Sequence, residues 1–215
     1  MDPSFWKGRK VTLTGHTGFK GSWMSLVLLR AGAKVTGVAL PPPTHPSLFE
    51  ILNLKDDMQC HIADIRDLEK ISKLIRDSQP EVLFHMAAQP LVRASYREPV
   101  ETYGTNVMGT LHVMEAARAC PHLKALVNIT TDKCYENREW VWPYRETDHL
   151  GGYDPYSSSK ACAEILTSCY QRSFFENDDK SPLHLASVRA GNVIGGGDWA
   201  EDRLVADIMR SFLNS

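Results

Sequence analysis

Tyr156 and Lys160 stand four residues apart at the head of a helical stretch, which puts them one turn apart on the same face. An ammonium beside a phenol favours the phenolate, and that suits tyrosine to taking a proton near neutral pH. A second group, Thr131-Asp132-Lys133, closes the strand-like run Asn128-Ile129-Thr130. A hydroxyl, a carboxyl and an amine in succession can orient a substrate, donate a proton and accept one. The third group is Gly15-His16-Thr17-Gly18-Phe19-Lys20-Gly21, with glycines at spacings of three and three between a strand and a helix. Glycines there allow a tight strand-to-helix turn and bring backbone close to a pyrophosphate, while N–H groups at the helix start face the anion.

Those groups need a scaffold that brings them together, and the chain alternates short apolar runs with longer helical stretches. Strands are expected at 10–14, 34–39, 58–62, 82–86, 125–129 and 183–188, and helices at 21–31, 68–78, 100–119 and 155–174. Gly104 and Gly109 mark where the third helix is least regular. Such alternation predicts βαβ units and an α/β fold with a parallel sheet, whose strand ends face the ligand crevice. Asp154 is placed to cap the last of these helices, with Pro155 at its first position. Residues 136–152, with Trp140, Trp142, Pro143 and two glycines, read as a long loop of functional type. The second strand ends in Leu40-Pro41, where neither an acid nor an arginine stands to choose between dinucleotides by their ribose. Asp64, after the third strand, either accepts a bond from an adenine amine or belongs to a helix start, a role that Asp67 fits better.

Composition narrows the class. With 215 residues, 43% hydrophobic, 23% charged and a formal net charge of -2, the chain is an ordinary globular protein without the basic excess of a nucleic-acid binder. Five widely spaced cysteines with no C-x-x-C pair are expected as reduced thiols, and no apolar run approaches a membrane span, so a cytoplasmic setting is expected. No His, Cys or Asp group has metal-ligand spacing, so no metal is expected. His16 and His85 are expected as satisfied structural donors.

The glycine loop, His85-Met86-Ala87-Ala88-Gln89, Thr131 and Tyr156-x-x-x-Lys160 together resemble the extended short-chain dehydrogenase/reductases. Within them, Gly15 to Trp23, Thr131-Asp132-Lys133-Cys134-Tyr135, Asn137-Arg138-Glu139-Trp140 and the run from Arg189 to Trp199 resemble the CDP-glucose type of sugar-nucleotide 4,6-dehydratase. The resemblance implies a Rossmann-like, doubly wound parallel sheet over 1–190 and the beginning of an incomplete substrate-binding domain over 191–215. It implies NAD as cofactor, met by Gly15, His16, Thr17, Gly18, Phe19, Gly21, Asp64, Ile65, Ala87, Ala88, Gln89 and Asn106, together with Tyr156 and Lys160. Asn106 has a structural alternative. CDP-glucose is the implied substrate, with Thr131, Asn192, Arg203 and Leu204 as its contacts; for Arg203 an exposed helix charge is an equal reading. Tyr156 would take the C4 hydroxyl proton, helped by Lys160 and Thr131, and Asp132 would protonate the departing C6 hydroxyl. Lys133, where many relatives carry Glu, is left as either the C5 base or an orienting group. A homodimer through helices 100–119 and 155–174 is also implied. The rival readings are a sugar-nucleotide 4-epimerase, which needs no acid like Asp132, another nucleotide-hexose 4,6-dehydratase, and an NAD-binding fragment without turnover. The last is expected because the chain stops in an uncapped helical pattern, as if cut before the segments that close over the sugar.

Overall fold

The computed structural model describes residues 3–175 and 183–213. Met1 and Asp2, and Asn214 and Ser215 at the end of the last helical pattern, lie outside the described residues. The strands are β1 (Lys10–Thr14), β2 (Lys34–Ala39), β3 (Gln59–Ile62), β4 (Val82–His85), β5 (Ala125–Ile129) and β6 (His184–Val188). The helices are α1 (Pro3–Trp6), α2 (Phe19–Arg30), α3 (Leu48–Ile51), α4 (Leu68–Ser78), α5 (Val92–Arg97), α6 (Pro99–Tyr103), α7 (Thr110–Arg118), α8 (Pro155–Tyr170) and α9 (Leu204–Leu213).

All six strands pair in parallel in the order β3-β2-β1-β4-β5-β6, the doubly wound arrangement. Both faces of the central strands are buried, so the strands read as near-continuous apolar runs. Leu83 of β4 packs with Ile71, Ile75, Val113 and Met114 against α4 and α7, while its neighbours Val82 and Phe84 pack with Leu13, Leu28 and Trp6 on the face of α1 and α2. The chain winds outward from β1 through β2 and β3, then returns to start again at β4. The crossovers from β1 and β4 therefore leave opposite faces, and a crevice opens between those two strand ends.

Caps fall where the sequence places them. Asp67 accepts from Lys70 N–H at the start of α4, and Asp154 accepts from Ser157 N–H at the start of α8, with Pro155 at its first position. The expected helix 100–119 is instead α6, a π-helical turn at Gly104–Gly109 and α7. At the end of the π turn Gly109 has no side chain, and the Ile65 side chain fills that space. The wide turn also turns Asn106 inward, where it is buried. A second π turn, Gln171–Phe175, follows α8. The short helices α1, α3 and α5 were not expected, and apart from one bridge between Tyr135 and Leu150 the stretch 136–152 is irregular, as expected.

His16 is fully buried, its ring edge-on to Phe49 at 5.2 Å and so close to Gly37 that a methyl there would lie 2.3 Å away. Neither ring nitrogen has a hydrogen-bond partner, so the expectation of a satisfied structural donor is not met at His16. Burial holds its pKa down to about 4, although the Val38 backbone near it offsets part of the fall. In the unfolded chain the ring takes its proton at 6.5, so stability is complete above that pH and is lost as pH falls to about 4. Replacing an unpartnered buried ring by an apolar side chain is nearly neutral when both states are uncharged. His16→Leu should therefore match the parent at pH 7 yet be more stable by about 2–3 kcal/mol at pH 4.5. Urea titrations at the two pH values test this; parallel losses in parent and variant would refute it.

Candidate active site

The glycine loop follows β1 directly into α2. Gly15 has φ +81°, and a methyl on it would lie 2.7 Å from the Ala87 amide nitrogen at the end of β4. At Gly21 a methyl would lie 2.0 Å from the Gly15 carbonyl oxygen, so α2 can approach β1 only without a side chain there. Gly18 differs: its nearest neighbour would be the Gly15 carbonyl oxygen at 3.5 Å, and the rest is open. Gly18 also caps α2 without a side chain, which leaves the first-turn amides for an anion. A closed turn beside an open cradle is the shape a dinucleotide pyrophosphate requires.

The β4 side of the crevice is held by Thr14. Its hydroxyl donates to His85 Nδ1 (2.7 Å) and accepts from the amides of Met86 (3.1 Å) and Ala87 (3.2 Å). His85 Nε2 lies 2.9 Å from Thr110 Oγ1, whose own proton goes to the Asn106 carbonyl at 2.7 Å. That pattern assigns the neutral, Nε2-protonated ring, and burial drives its pKa down to about 3, with Lys160 nearby adding to the fall. His85 is the structural donor expected.

Several side chains expected at the cofactor are committed elsewhere. The His16 ring is buried behind the loop, and Thr17 donates to the Leu40 carbonyl at 2.8 Å. The Asn106 amide accepts from Gln89 N–H (2.8 Å) and donates to Gln89 C=O (3.0 Å) and Ser159 Oγ (2.9 Å), so the structural alternative is the one met. Gln89 in turn uses its amide on Leu91 and Thr102. Ile65 packs its side chain on Gly109 and gives its carbonyl to His112. These five residues reach the crevice through backbone atoms if at all, because their side chains build its walls. Asp64 is bound by Arg66, which holds its carboxyl below the usual range, and Asp67 is the cap of α4. Phe19, Ala87 and Ala88 remain partly exposed around the opening.

The reactive residues do converge. Thr131 follows β5, is buried, and donates to Asp132 Oδ1 at 3.1 Å. Lys133 Nζ reaches Asn192 Oδ1 at 3.1 Å and lies 3.6 Å from Asp132 Oδ1, so the exposed rim formed after β6 closes onto the end of β5. The Tyr156 amide is anchored on Ser95 Oγ (3.1 Å). Lys160 is buried and donates to the Ile129 carbonyl at 3.2 Å. The expectation that Lys160 lowers the Tyr156 pKa is not met. Burial raises the phenol, and the Thr131 hydroxyl and Arg203 offset part of that rise. Lys160 itself falls to about 8 through burial and the nearby Lys20, against an upward pull from Glu164. Arg203 is half-buried, 3.6 Å from Asp198, and its charge acts on both Tyr156 and Lys20. It is not a free helix charge, whereas Leu204, expected beside it as a contact, is 72% exposed.

Three further charged groups belong to the site without an expected role. Lys20 lies inside the glycine motif, and its pKa is lowered by burial and by Arg203. Buried Glu164 and partly exposed Arg189 form an ion pair, 2.7 Å apart. Burial pushes the Glu164 pKa up, but bonds from Arg189, Thr130 and Ser187 outweigh it and hold the carboxyl below its ordinary range. The one signal in the sequence was position: Glu164 is four residues beyond Lys160, hence on the same helix face. Among the described residues no group of three or more His, Cys, Asp and Glu side chains is placed to hold a metal ion, and no helix is long and apolar enough to cross a membrane.

Comparison with known proteins places this arrangement. The family model for GDP-mannose 4,6 dehydratase matches residues 13–177. A CDP-glucose 4,6-dehydratase from Salmonella typhimurium is 60% identical over 217 residues, covering 100% of this chain and 60% of that protein. The chain therefore spans about 60% of the length of this curated relative. Among solved structures, a UDP-glucose 4-epimerase from Thermotoga maritima superposes with TM-score 0.81 at 26% identity, covering 95% of this chain and 63% of that one. A UDP-glucose 4-epimerase of Thermus thermophilus, in complex with NAD, gives TM-score 0.77 at 28% identity, covering 92% and 60%.

Two outcomes follow from this geometry. Gly21→Ala forces a methyl into the Gly15 carbonyl and should cost at least about 3 kcal/mol, whereas Gly18→Ala should keep the parent Tm and weaken dinucleotide binding at least about tenfold. Thermal melts and calorimetric titration check the pair, and equal effects on folding would refute it. For Lys160, the ammonium is disfavoured in the fold, so the cost is full below about pH 8 and is relieved as pH rises to 10.5. Lys160→Met should therefore be more stable at pH 7 by about 2 kcal/mol, roughly 3 from the charge less about 1 for the lost hydrogen bond. That advantage should shrink at pH 10, and a variant less stable than the parent at pH 7 would contradict it.

Proposed function

The chain belongs to the GDP-mannose 4,6 dehydratase family, and from that premise we propose that it carries the cofactor-binding and reactive part of an NAD-dependent CDP-glucose 4,6-dehydratase. The observation that carries the reading is the convergence of Thr131, Asp132 and Lys133 at the end of β5 with Tyr156 and Lys160 on α8, beside the open Gly18 cradle. The 60% identity to the Salmonella CDP-glucose enzyme supports the choice of sugar nucleotide. The division into a cofactor-binding part over 1–190 and a substrate-facing part beyond belongs to the same proposal. So does pairing of two copies through α6, α7 and α8, on which Val100 and Ile165 are exposed at 86% and 59%.

NAD, when bound, supplies the hydride acceptor for C4 and the hydride returned to C6. Tyr156 takes the C4 hydroxyl proton, with Thr131 beside the phenol and Lys160 supplying positive charge one turn along α8. A ketone at C4 acidifies the C5 proton, which passes to Lys133 as a neutral amine or, where Lys133 only orients the sugar, to water. Asp132, exposed and bonded by Thr131, protonates the departing C6 hydroxyl. Lys133 is held by Asn192 and near Asp132, which suits an orienting ammonium and leaves it in reach of the sugar. An epimerase needs no proton donor at C6, so the exposed Asp132 favours dehydration.

Incubation of the protein with CDP-glucose and NAD should yield a 4-keto-6-deoxy sugar nucleotide, read by mass spectrometry as loss of water. A product of unchanged mass and inverted C4 would establish epimerisation instead. In Lys133→Ala, solvent exchange at C5 should persist if Lys133 only orients the sugar, as its bond to Asn192 favours; exchange that stops would make it the base.

A further inference from the structure

Glu164 lies one turn beyond Lys160 on α8 and is 4% exposed. Its Oε1 accepts from the Thr130 hydroxyl, and its Oε2 accepts from Ser187 Oγ at 2.8 Å and Arg189 Nη2 at 2.7 Å. The other arm of the guanidinium, Nη1, donates to Tyr135 Oη at 2.8 Å and to the Glu146 carbonyl at 3.2 Å, with its plane over the Tyr135 ring at 4.8 Å. Tyr135 stacks on Tyr144 at 5.1 Å, and Tyr144 meets Trp140 at 5.5 Å. One carboxylate and one guanidinium thus join four parts of the molecule: α8, the end of β5 next to Thr131, the end of β6, and the aromatic loop 136–152.

Stability does not account for such a pair. Desolvating both ions offsets most of their attraction, and apolar side chains of similar volume often hold a core as well or better. What apolar groups cannot do is fix hydroxyl orientations and a neighbouring ammonium at the same time. We propose that Glu164 and Arg189 are positioning residues of the reaction. Glu164 fixes the end of β5 that carries Thr131 and sets the charge environment of Lys160, and Arg189 ties that register to the aromatic loop. The inference rests on Tyr156 and Lys160 being the reactive pair, as proposed above.

The groups that act on or are acted on by Lys160 are Lys20 from α2, neutral His85 from β4, and Glu164 from α8. Glu164 is the only carboxylate among them, and it supports the ammonium against burial and Lys20. Removing its charge should therefore lower the pH at which Lys160 titrates. The direct readout is the pH dependence of the Lys160 side-chain methylene resonance in the full chain, which requires no turnover. In Glu164→Gln the midpoint should fall by about one pH unit. That variant leaves Arg189 without its partner and risks unfolding, so the second variant is Glu164→Gln with Arg189→Gln, in which no uncompensated charge remains. A smaller downward shift is expected there, because losing the Arg189 charge offsets part of the loss of the carboxylate. Glu115→Gln, which removes a carboxylate bound to Arg118 and Tyr170, is the control and should leave Lys160 unmoved. Arg189→Lys keeps the charge but cannot serve Glu164, Tyr135 and Glu146 together, so the near-ultraviolet aromatic signal should fall while helix content stays constant. A Lys160 midpoint unchanged in folded Glu164→Gln or in the double variant would overturn the inference. A shifted midpoint in a protein that forms no keto-deoxy product would overturn the proposed reaction and leave only the electrostatic support of Lys160 by Glu164 standing.

Discussion

The site depends on one bracket of hydrogen bonds, the Thr14 hydroxyl with its three partners. It ties the end of β1 to the end of β4 at the one place where the sheet order reverses. Parallel strands next to each other are already bonded along their length, but their ends would diverge toward separate crossovers. By accepting from two β4 amides and donating to His85, Thr14 holds the Ala87 backbone against the glycine turn. Gly15 then has no room for a side chain. His85 extends the bracket to Thr110 and, through it, to the π turn that carries Asn106. Asn106 binds Gln89 and Ser159, so the same chain of bonds reaches α8 three residues from Tyr156 and one from Lys160. A neutral histidine is essential to this, since a proton on Nδ1 would remove the acceptor that Thr14 needs.

Electrostatics complete what the bracket positions. Lys20, Lys160 and Arg203 are close enough to act on one another or on Tyr156, and burial lowers both lysines. Like charges brought together under partial burial oppose folding, and a site that retains them trades stability for affinity toward anionic ligands and for proton transfer. Glu164 offsets part of that positive charge from beneath, and its partner Arg189 keeps the carboxylate from being an unpaired buried charge.

The segment after β6 closes the remaining side. Trp23 Nε1 donates to the Gly196 carbonyl at 2.9 Å, Gly195 packs on Phe19, and Arg93 pairs with Asp202 at 2.9 Å. Residues 191–203 thereby run from Lys133 at one edge to the first turn of α2 at the other. This path carries Arg203 from what reads as an exposed helix position to one that acts on the Tyr156 phenol. Gly195 and Gly197 permit that approach, as their side-chain-free surfaces lie on Phe19 and Leu48.

The sequence by itself determined the six strands, the main helices and the motif positions, because these are local properties. Strand and helix periods, the caps Asp67 and Asp154, the glycine spacing and the one-turn separation of Tyr156 and Lys160 are all set by residues within a few positions of each other. The parallel sheet follows nearly as directly, since alternating strands and helices admit few right-handed solutions, and its doubly wound order was implied by the family resemblance. What only the tertiary structure decided is which side of each motif residue faces the crevice. His16, Thr17, Ile65, Gln89 and Asn106 sit at the expected positions, but neighbours far along the chain, such as Gly37, Leu40, Gly109, Thr102 and Ser159, capture their side chains. The protonation balance is likewise a tertiary property. A tyrosine four residues from a lysine reads as an activated pair, yet desolvation by packing from several elements outweighs one neighbour's charge and raises the phenol instead. Glu164, Arg189 and Lys20 escaped notice for the same reason: each gains its significance from groups brought close only when the sheet closes around them.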